Sequence, residues 1–363
     1  MKKNKNYVEL KDQPVPEGQH LLEVDDLKMY FHTEDGVVRA VDGVSYTLDR
    51  GETLGVVGES GSGKSVTAMT IMGLISMPPG KIEGGDVRYR GRSILEMTEE
   101  EMQHIRGNDI AMIFQDPMTS LNPVYKIGRQ VGEGLRLHRG YSKQEALKRA
   151  TELLDLVGIP EPEKRVNEYP HQFSGGMRQR VMIAMALACD PDILIADEPT
   201  TALDVTIQAQ IIELMQEMQE KNGNAIIMIT HDLGVVADMA DKIMVMYAGR
   251  PVEFGTAEEI FYESRHPYTW GLIRSIPEQA IEEKKPLTPI HGNPPSLMNL
   301  PEGCVFSPRC PYATDKCRKQ RPERVVTESG HYSACHYSGD PEFLKNAPET
   351  SRTRKDSKKG GEA

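Results

Sequence analysis

The chain has 363 residues, of which 38% are hydrophobic and 27% are charged, and its formal net charge is -11. This length allows two domains or one large domain with an appendage, and the composition is that of a globular protein rather than a disordered chain. The acidic balance argues against non-specific binding to nucleic acid or to anionic lipid, so we expect no nucleic-acid partner.

The first 20 residues are polar and lack the apolar stretch of a signal peptide. No apolar run in the chain approaches the roughly 18 residues of a membrane-spanning helix. We therefore expect residues 1–20 to form a polar arm. We also expect the protein to stay in the cytoplasm and to meet a membrane only through partner proteins.

Between residues 21 and 255, short apolar runs alternate with amphipathic helical segments, which predicts an α/β domain with a largely parallel sheet. Runs without polar alternation suit strands that are buried on both faces, and open α/β sheets bind ligands at the carboxyl ends of such strands. Four of these runs lead directly into polar or Gly-rich turns: Leu54–Val57, Ile110–Phe114, Ile193–Ala196 and Ile226–Ile229. We place the active site where these four runs end.

The first of these turns, Gly58 to Ser65, fits the phosphate-binding pattern G-x-x-x-x-G-K-[ST] between a strand and a helix. Its backbone amides would wrap the phosphates of ATP, Lys64 would contact the β- and γ-phosphates, and the Ser65 hydroxyl would bind Mg²⁺. A Gly-rich turn with a surface lysine is the alternative, and the strand–loop–helix setting disfavours it. The nucleotide-binding candidates in this segment are Ser60, Gly61, Ser62, Gly63, Lys64, Ser65 and Thr67.

Polar residues follow the other three strands as well. Asp197 is predicted to hold Mg²⁺, and the adjacent Glu198 to orient and polarise the attacking water. His231 alone would more often be a core histidine, but its place after a buried strand favours a catalytic role. Gln115 follows the remaining strand.

One further segment, Phe173 to Arg180, places Ser-Gly-Gly at the start of a predicted helix, where a hydroxyl and bare amides favour an anion. It resembles the signature sequence of ABC ATPases. With the phosphate loop, Gln115, Asp197–Glu198, Ala202-Leu203-Asp204 and His231, all the motifs of that family occur in their usual order. The fold class expected is therefore a P-loop ABC-type nucleotide-binding domain (residues 21–255) with a smaller, irregular C-terminal module (residues 256–337).

The resemblance implies a mechanism. Two ATPase subunits enclose two ATP molecules head to tail, so that Ser174, Gly175, Gly176 and Asp204 serve nucleotide at the interface with a partner subunit. His231 would bridge the γ-phosphate and Glu198, and Gln115 would act as a catalytic residue and a Mg²⁺ ligand. An aromatic side chain ahead of the phosphate loop stacks on adenine in this family. Phe31 is our candidate, and Tyr30 is the alternative on the opposite strand face.

Several stretches resemble the dipeptide/oligopeptide (and nickel) importer subfamily: Phe114–Pro123, Tyr169–Phe173, Ala196–Val205, His266–Trp270 and Gly292–Leu297. The resemblance implies import of di- or oligopeptides at the cytoplasmic face of a bacterial membrane. It also implies two transmembrane permease subunits, a second related ATPase subunit and an extracytoplasmic peptide-binding protein. Nickel or another small solute as cargo remains open, as does a soluble regulatory ATPase that is not coupled to transport.

Four of the five cysteines lie in the C-terminal module, at Cys304, Cys310, Cys317 and Cys335. No two of them have the C-x₂₋₄-C spacing usual for structural zinc, and the longer, uneven loops suit an iron–sulfur cluster with four thiolates. We expect a [4Fe–4S] cluster. Zinc with His331 or His336 as a ligand, or four reduced thiols, are the alternatives. Residues 338–363 are predicted to be a disordered, charged tail.

Overall fold

The computed structural model describes residues 10–116, 120–200, 205–276 and 289–348. These residues form two β-sheets and surrounding helices. A four-stranded antiparallel sheet has the order β2-β1-β4-β5, and an eight-stranded sheet has the order β11-β12-β10-β9-β3-β8-β7-β6. The strands are β1 (Leu22–Thr33), β2 (Gly36–Leu48), β3 (Thr53–Val57), β4 (Gly80–Tyr89), β5 (Arg92–Ser93), β6 (Ile110–Ile113), β7 (Ile193–Asp197), β8 (Ala225–Thr230), β9 (Lys242–Tyr247), β10 (Arg250–Thr256), β11 (Val325–Val326) and β12 (Tyr332–Ser333).

The centre of the larger sheet is parallel, as the apolar runs predict. β3 pairs in parallel with both β8 and β9, and β7 pairs in parallel with both β6 and β8. Every residue of β3, β7 and β8 is buried, because helices and the second sheet cover both faces. The carboxyl ends of β3, β6, β7 and β8 therefore lie along one edge. The antiparallel sheet was not anticipated from the sequence.

The helices carry recognisable start signals. Thr98, Ser142 and Thr256 each begin a helix with a capping box, in which the side chain and a glutamate three residues later satisfy each other's backbone amides. The helices are α1 (Lys64–Ile71), α2 (Glu99–Ile105), α3 (Ile127–Val131), α4 (Glu133–His138), α5 (Lys143–Leu156), α6 (Pro162–Arg165), α7 (Gly175–Leu187), α8 (Val205–Asn222), α9 (Leu233–Ala237), α10 (Ala257–Tyr262), α11 (Pro267–Arg274), α12 (Asp315–Lys319) and α13 (Pro341–Leu344). No helix among the described residues is long and apolar enough to cross a lipid bilayer.

The C-terminal module shares the sheet and the core of the preceding domain. β12 pairs with β10 through Glu253↔Ser333 and Phe254↔Tyr332. Val305 and Phe306 belong to the same hydrophobic cluster as strands β3 and β9. The C-terminal module has few apolar residues of its own and is stabilised by packing against the hydrophobic core of the nucleotide-binding domain.

The described parts of both predicted terminal segments pack on the rest of the protein. Residues 10–12 form a 3-10 turn whose Leu10 is only 4% exposed, so the arm packs on the domain from that point. The predicted tail likewise begins too early, because α13 places Phe343 against Trp270 with ring centroids 5.3 Å apart. An aromatic anchor was overlooked in a segment judged by its charge. The remaining predicted tail, from residue 349, lies outside the described residues.

Candidate nucleotide-binding site

The phosphate loop connects β3 to α1 and depends on glycine for its shape. Gly63 has a φ of +101°, and a Cβ at this residue would lie 2.2 Å from the Ala40 carbonyl oxygen. A Cβ at Gly58 would lie 2.2 Å from the Met246 carbonyl oxygen. The loop is therefore pressed against β2 and β9, and no larger residue fits at either position. Ser60 and Gly61 lie exposed at its tip.

Lys64 lies inside the curl of this loop. Its side chain is buried, and Nζ donates hydrogen bonds to the Gly58 and Glu59 carbonyl oxygens at 2.6 and 3.0 Å. Burial lowers the pKa of Lys64, and the nearby carboxylates of Glu198, Asp197 and Glu59 oppose that shift. An ammonium held by backbone carbonyl oxygens within a phosphate-loop motif is suited to anionic phosphate oxygens.

Two hydroxyl groups in this segment differ in their hydrogen bonding. Ser62 Oγ is buried and has no hydrogen-bond partner among the described residues, which makes it available to a phosphate oxygen. Thr67 Oγ1 instead donates to the Gly63 carbonyl oxygen at 2.9 Å. This bond ties the first turn of α1 to the loop, while the predicted contact of Thr67 with nucleotide stays a prediction.

The predicted Mg²⁺ ligands meet at the start of α1. Ser65 Oγ donates to Asp197 Oδ1 at 2.9 Å. Burial raises the pKa of Asp197, with a further increase from Glu198, while the Ser65 hydrogen bond and Lys64 favour the ionised form. A hydroxyl and a carboxylate side by side are hard oxygen ligands that fit Mg²⁺.

Glu198 joins the ends of β6, β7 and β8. Its Oε2 accepts a hydrogen bond from Gln115 Nε2 at 3.0 Å and lies 3.5 Å from His231 Nδ1. Glu198 has a φ of +48°, a left-handed conformation that non-glycine residues adopt rarely and that is often found at functional sites. The structure thus brings together the catalytic residues expected from the sequence: Gln115, Glu198 and His231.

The two aromatic candidates for adenine stacking occupy different surroundings. Phe31 is half-buried and packs against the core of the antiparallel sheet. The Tyr30 hydroxyl donates to Asp42 Oδ1 at 2.9 Å, so its polar end is already held. Which ring meets adenine stays a prediction, with Phe31 as the candidate.

The predicted signature residues begin α7. Ser174 is the N-cap, and its Oγ accepts a hydrogen bond from the Met177 amide at 3.3 Å. Ser174 and Gly175 are exposed and Gly176 is half-buried, so this helix start is accessible to a second molecule. Asp204 lies outside the described residues.

The four C-terminal cysteines line one small cavity together with His336. Burial raises the pKa of Cys310 to about 11 and that of Cys335 to about 12, which favours neutral thiols in the absence of a metal. His331 Nε2 lies 3.1 Å from Glu253 Oε1, and His336 Nε2 lies 2.9 Å from the Gln320 carbonyl oxygen, so both rings have other partners.

No group of three or more His, Cys, Asp or Glu side chains in the described part of the chain is placed to hold a metal ion. The described residues therefore form no preformed ligand set for the expected iron–sulfur cluster or for the zinc alternative. The thiols converge on one cavity, but they do not form a closed metal site.

Sequence reasoning missed the side chains that support the phosphate loop from the C-terminal module. Tyr268 Oη accepts a hydrogen bond from the Glu59 amide at 2.8 Å, and Arg309 forms an ion pair with the Glu59 carboxylate. Tyr268 belongs to a segment noted for its resemblance only. An arginine directly before Cys310 was the available signal for the second contact.

Comparison with known proteins gives two matching families. The family described as "ABC transporter" matches residues 41–201, and "Oligopeptide/dipeptide transporter, C-terminal region" matches residues 252–317. The Bacillus subtilis oligopeptide transport ATP-binding protein OppD is 58% identical over 312 residues, covering 86% of this chain and 87% of that protein. The Escherichia coli dipeptide transport ATP-binding protein DppD is 52% identical over 320 residues, covering 88% and 97%.

A solved structure supports the same fold. A dimeric ATP-binding cassette in a post-hydrolysis state, bound to ADP and Pi, is 29% identical with a TM-score of 0.59. The match covers 65% of this chain and 98% of that one. The expected nucleotide-binding fold with a smaller C-terminal region is confirmed.

Proposed function

The chain belongs to the ABC transporter family, among the ATP-binding subunits of oligopeptide and dipeptide transporters, and we propose on this basis that it hydrolyses ATP to power peptide import across a membrane. The observation that carries the proposal is the convergence of four strand ends on one phosphate loop. Ser65 contacts Asp197 there, and Gln115 and His231 approach Glu198.

Each residue of the site has a separate role in the proposed transfer of the γ-phosphoryl group from ATP to water. Lys64 and Ser62 would bind phosphate oxygens, and the loop amides would fix the phosphate chain. Ser65, Asp197 and Gln115 would hold Mg²⁺, which supplies positive charge to the phosphate oxygens. Glu198 would orient and polarise the attacking water, and His231 would bridge Glu198 and the γ-phosphate.

We propose that the exposed signature residues act on nucleotide bound to a second ATPase subunit. Their exposure at the start of α7 and the dimeric form of the similar cassette support this. Asp204 would lie at the same interface. The names of the relatives support membrane permease subunits and a peptide-binding protein as partners. We propose two permease subunits and peripheral attachment to the cytoplasmic face of the membrane.

We also propose that Cys304, Cys310, Cys317 and Cys335 bind a [4Fe–4S] cluster, for which their shared cavity is the support. Protein purified without oxygen should be brown and contain iron and acid-labile sulfide. Colourless protein with stoichiometric zinc would reject the cluster, and colourless protein without metal would favour four reduced thiols.

The central test of the proposed function uses Lys64→Ala. Because this change removes the ammonium that offsets phosphate charge, equilibrium binding of a fluorescent ATP analogue should weaken by at least about tenfold. An unchanged affinity would show that this loop does not bind the phosphates.

A transport assay separates import from other uses of ATP. Cells that lack this gene should lose uptake of defined peptides, and the wild-type gene, but not the Lys64→Ala variant, should restore it. Restored nickel uptake without peptide uptake would assign a different cargo. Failure to co-purify with permease subunits from native membranes would favour a regulatory ATPase.

A further inference from the structure

Arg309, in the C-terminal module, reaches the phosphate loop and forms a two-pronged ion pair with Glu59. Nη1 lies 2.5 Å from Glu59 Oε2, and Nη2 lies 2.9 Å from Glu59 Oε1. The arginine side chain is only 4% exposed, whereas the glutamate side chain is 30% exposed. Paired bonds of this kind fix both position and orientation.

The remaining donors of Arg309 also have partners. Nε donates to the His291 carbonyl oxygen at 2.9 Å, and Nη2 donates to the Ile290 carbonyl oxygen at 3.2 Å. Nη1 also donates to Tyr247 Oη at 3.3 Å. The guanidinium is therefore held in place by the backbone of the C-terminal module and by β9, and it does not depend on Glu59 for its orientation.

Tyr268 forms a second contact with the same loop residue. Its Oη accepts the Glu59 amide hydrogen bond, and its ring packs against those of Tyr247 and Phe306 with centroids 4.6 and 5.3 Å apart. Glu59 is thus held at both its backbone and its carboxylate by buried side chains, and Tyr268 and Arg309 both come from the C-terminal module.

The negative charge of Glu59 would oppose nucleotide binding if it were not neutralised. Glu59 is part of the phosphate loop, and its carbonyl oxygen accepts a hydrogen bond from Lys64 at 3.0 Å. A carboxylate without a counter-charge would repel the phosphates that this loop is shaped to bind. Arg309 supplies the counter-charge from a position that solvent hardly reaches.

We propose that Arg309 is a positioning residue of the nucleotide site, which neutralises Glu59 and, with Tyr268, holds the phosphate loop in its binding shape. Nucleotide affinity then depends on the C-terminal module, because that module supplies the side chain that neutralises Glu59. Arg309 also directly precedes Cys310, which lines the cysteine cavity. This inference rests on the proposed function and deepens it.

The test is a double-mutant cycle on the full chain, measured by equilibrium binding of a fluorescent ATP analogue. Arg309→Ala should weaken binding about tenfold, or about 1.4 kcal/mol, because it leaves Glu59 unneutralised. The loss should shrink at high salt, which screens the partly exposed carboxylate. Adding Glu59→Gln to Arg309→Ala should restore affinity to within about threefold of wild type.

A merely structural role for Arg309 predicts a different pattern, in which the double variant binds no better than Arg309→Ala. That result would overturn the proposal. Arg309→Lys keeps the charge and should retain most of the affinity. Where Arg309→Ala does not fold, as judged by thermal melting, Arg309→Gln is measured instead, alone and with Glu59→Gln.

Two controls complete the experiment. Arg318 is exposed and pairs with Asp315 within α12, so Arg318→Ala should leave affinity unchanged. Lys64→Ala separates this inference from the proposed function. If Lys64→Ala loses affinity while Arg309→Ala binds as wild type, only the role of Arg309 is wrong. If Lys64→Ala keeps its affinity, the proposed site itself is wrong.

Discussion

Glu198 combines a strained backbone with the contacts expected of a residue that positions water. Its carboxylate accepts a hydrogen bond from Gln115 Nε2. Its positive φ turns the chain at the end of β7, immediately after Asp197. The neighbouring carboxylate of Asp197 is engaged by Ser65, so the two acidic groups have different partners. Different partners suit the different roles proposed for them, with Asp197 on Mg²⁺ and Glu198 on water.

We predict that Glu198→Gln retains nucleotide binding and lowers ATP turnover by about 10²–10⁴-fold, the usual contribution of a positioned base. The amide keeps the size of the side chain but cannot accept a proton from water. Steady-state hydrolysis by the assembled transporter is the measurement. Near wild-type turnover would remove Glu198 from the catalytic role.

Asp109 is a buried carboxyl at the opposite end of the sheet, directly before β6. It is 1% exposed, Oδ1 accepts from Asn108 Nδ2 at 2.7 Å, and Oδ2 has no hydrogen-bond partner among the described residues. Burial, with an added effect of Asp192, raises the pKa of Asp109 to about 7. An aspartate in an unfolded chain has a pKa of about 3.9, so folding favours its protonated form.

The raised pKa of Asp109 predicts a pH dependence of stability. Because the folded state binds the extra proton between about pH 4 and pH 7, the free energy of unfolding should fall as the pH rises through that range. Asp109→Asn should flatten this dependence and be more stable than wild type at pH 8, by an amount on the order of a few kcal/mol. Urea unfolding at pH 5 and pH 8 measures the effect.

The matched control for Asp109 is Asp35→Asn, which removes an exposed carboxyl from the turn between β1 and β2. This variant should keep the wild-type pH dependence. The same decline between pH 5 and pH 8 in Asp109→Asn would contradict the assignment to Asp109.

At the scale of elements, the phosphate loop is shaped by its neighbours as much as by its own sequence. Backbone carbonyl groups of β2 and β9 lie where Cβ atoms of Gly63 and Gly58 would be. β9 is paired on both sides and Ala40 of β2 is buried, so neither carbonyl group can move away easily. Gly58 and Gly63 therefore serve close packing as well as the proposed contact of the loop with phosphate.

We predict that Gly63→Ala lowers thermal stability more than Gly61→Ala does. Both residues have positive φ, at +101° and +75°, so both alanine variants bear backbone strain of about 1–2 kcal/mol. Only Gly63→Ala also places a methyl group 2.2 Å from a carbonyl oxygen, whereas a Cβ at Gly61 meets nothing within 4 Å. Equal melting temperatures of the two variants would mean that the loop can move away from β2.

At the scale of the whole molecule, the C-terminal module and the nucleotide-binding domain form a continuous structure. β12 extends the central sheet, Phe306 packs against Tyr268, whose hydroxyl contacts the phosphate loop, and Arg309 pairs with Glu59. The signature helix start, in contrast, remains exposed. The C-terminal module therefore covers its side of the phosphate loop, whereas the start of α7 is exposed and is the surface proposed to meet a second ATPase subunit.

We predict that the isolated chain is a poor ATPase that gains activity when it is assembled with its partners. The reason is that, in the arrangement proposed above, Ser174, Gly175 and Gly176 of one subunit complete the nucleotide site of another. ATPase rates of the isolated chain and of the assembled transporter, with the mass of the former determined by light scattering, test this. A monomer that hydrolyses ATP at the full rate would contradict it.

Local sequence determined the parallel strands and the residues at their ends. Unbroken runs of Ile, Leu and Val must be covered on both faces, and a phosphate loop between strand and helix fixes where the active edge lies. Ser65, Asp197, Gln115, Glu198 and His231 could be named for this reason. Asp197, Gln115, Glu198 and His231 each come at the end of a buried strand, and Ser65 ends the phosphate-loop motif; a single sequence shows both features.

Contacts between residues far apart in the chain were decided only by the tertiary structure. The antiparallel sheet depends on pairing among long strands that lack a buried apolar run, and Glu59 and Arg309 are separated by 250 residues. No periodicity links such pairs, because packing brings them together only after the chain has folded. The same is true of the cysteines: sequence grouped them, but only the fold determined that they line one cavity without forming a closed metal site.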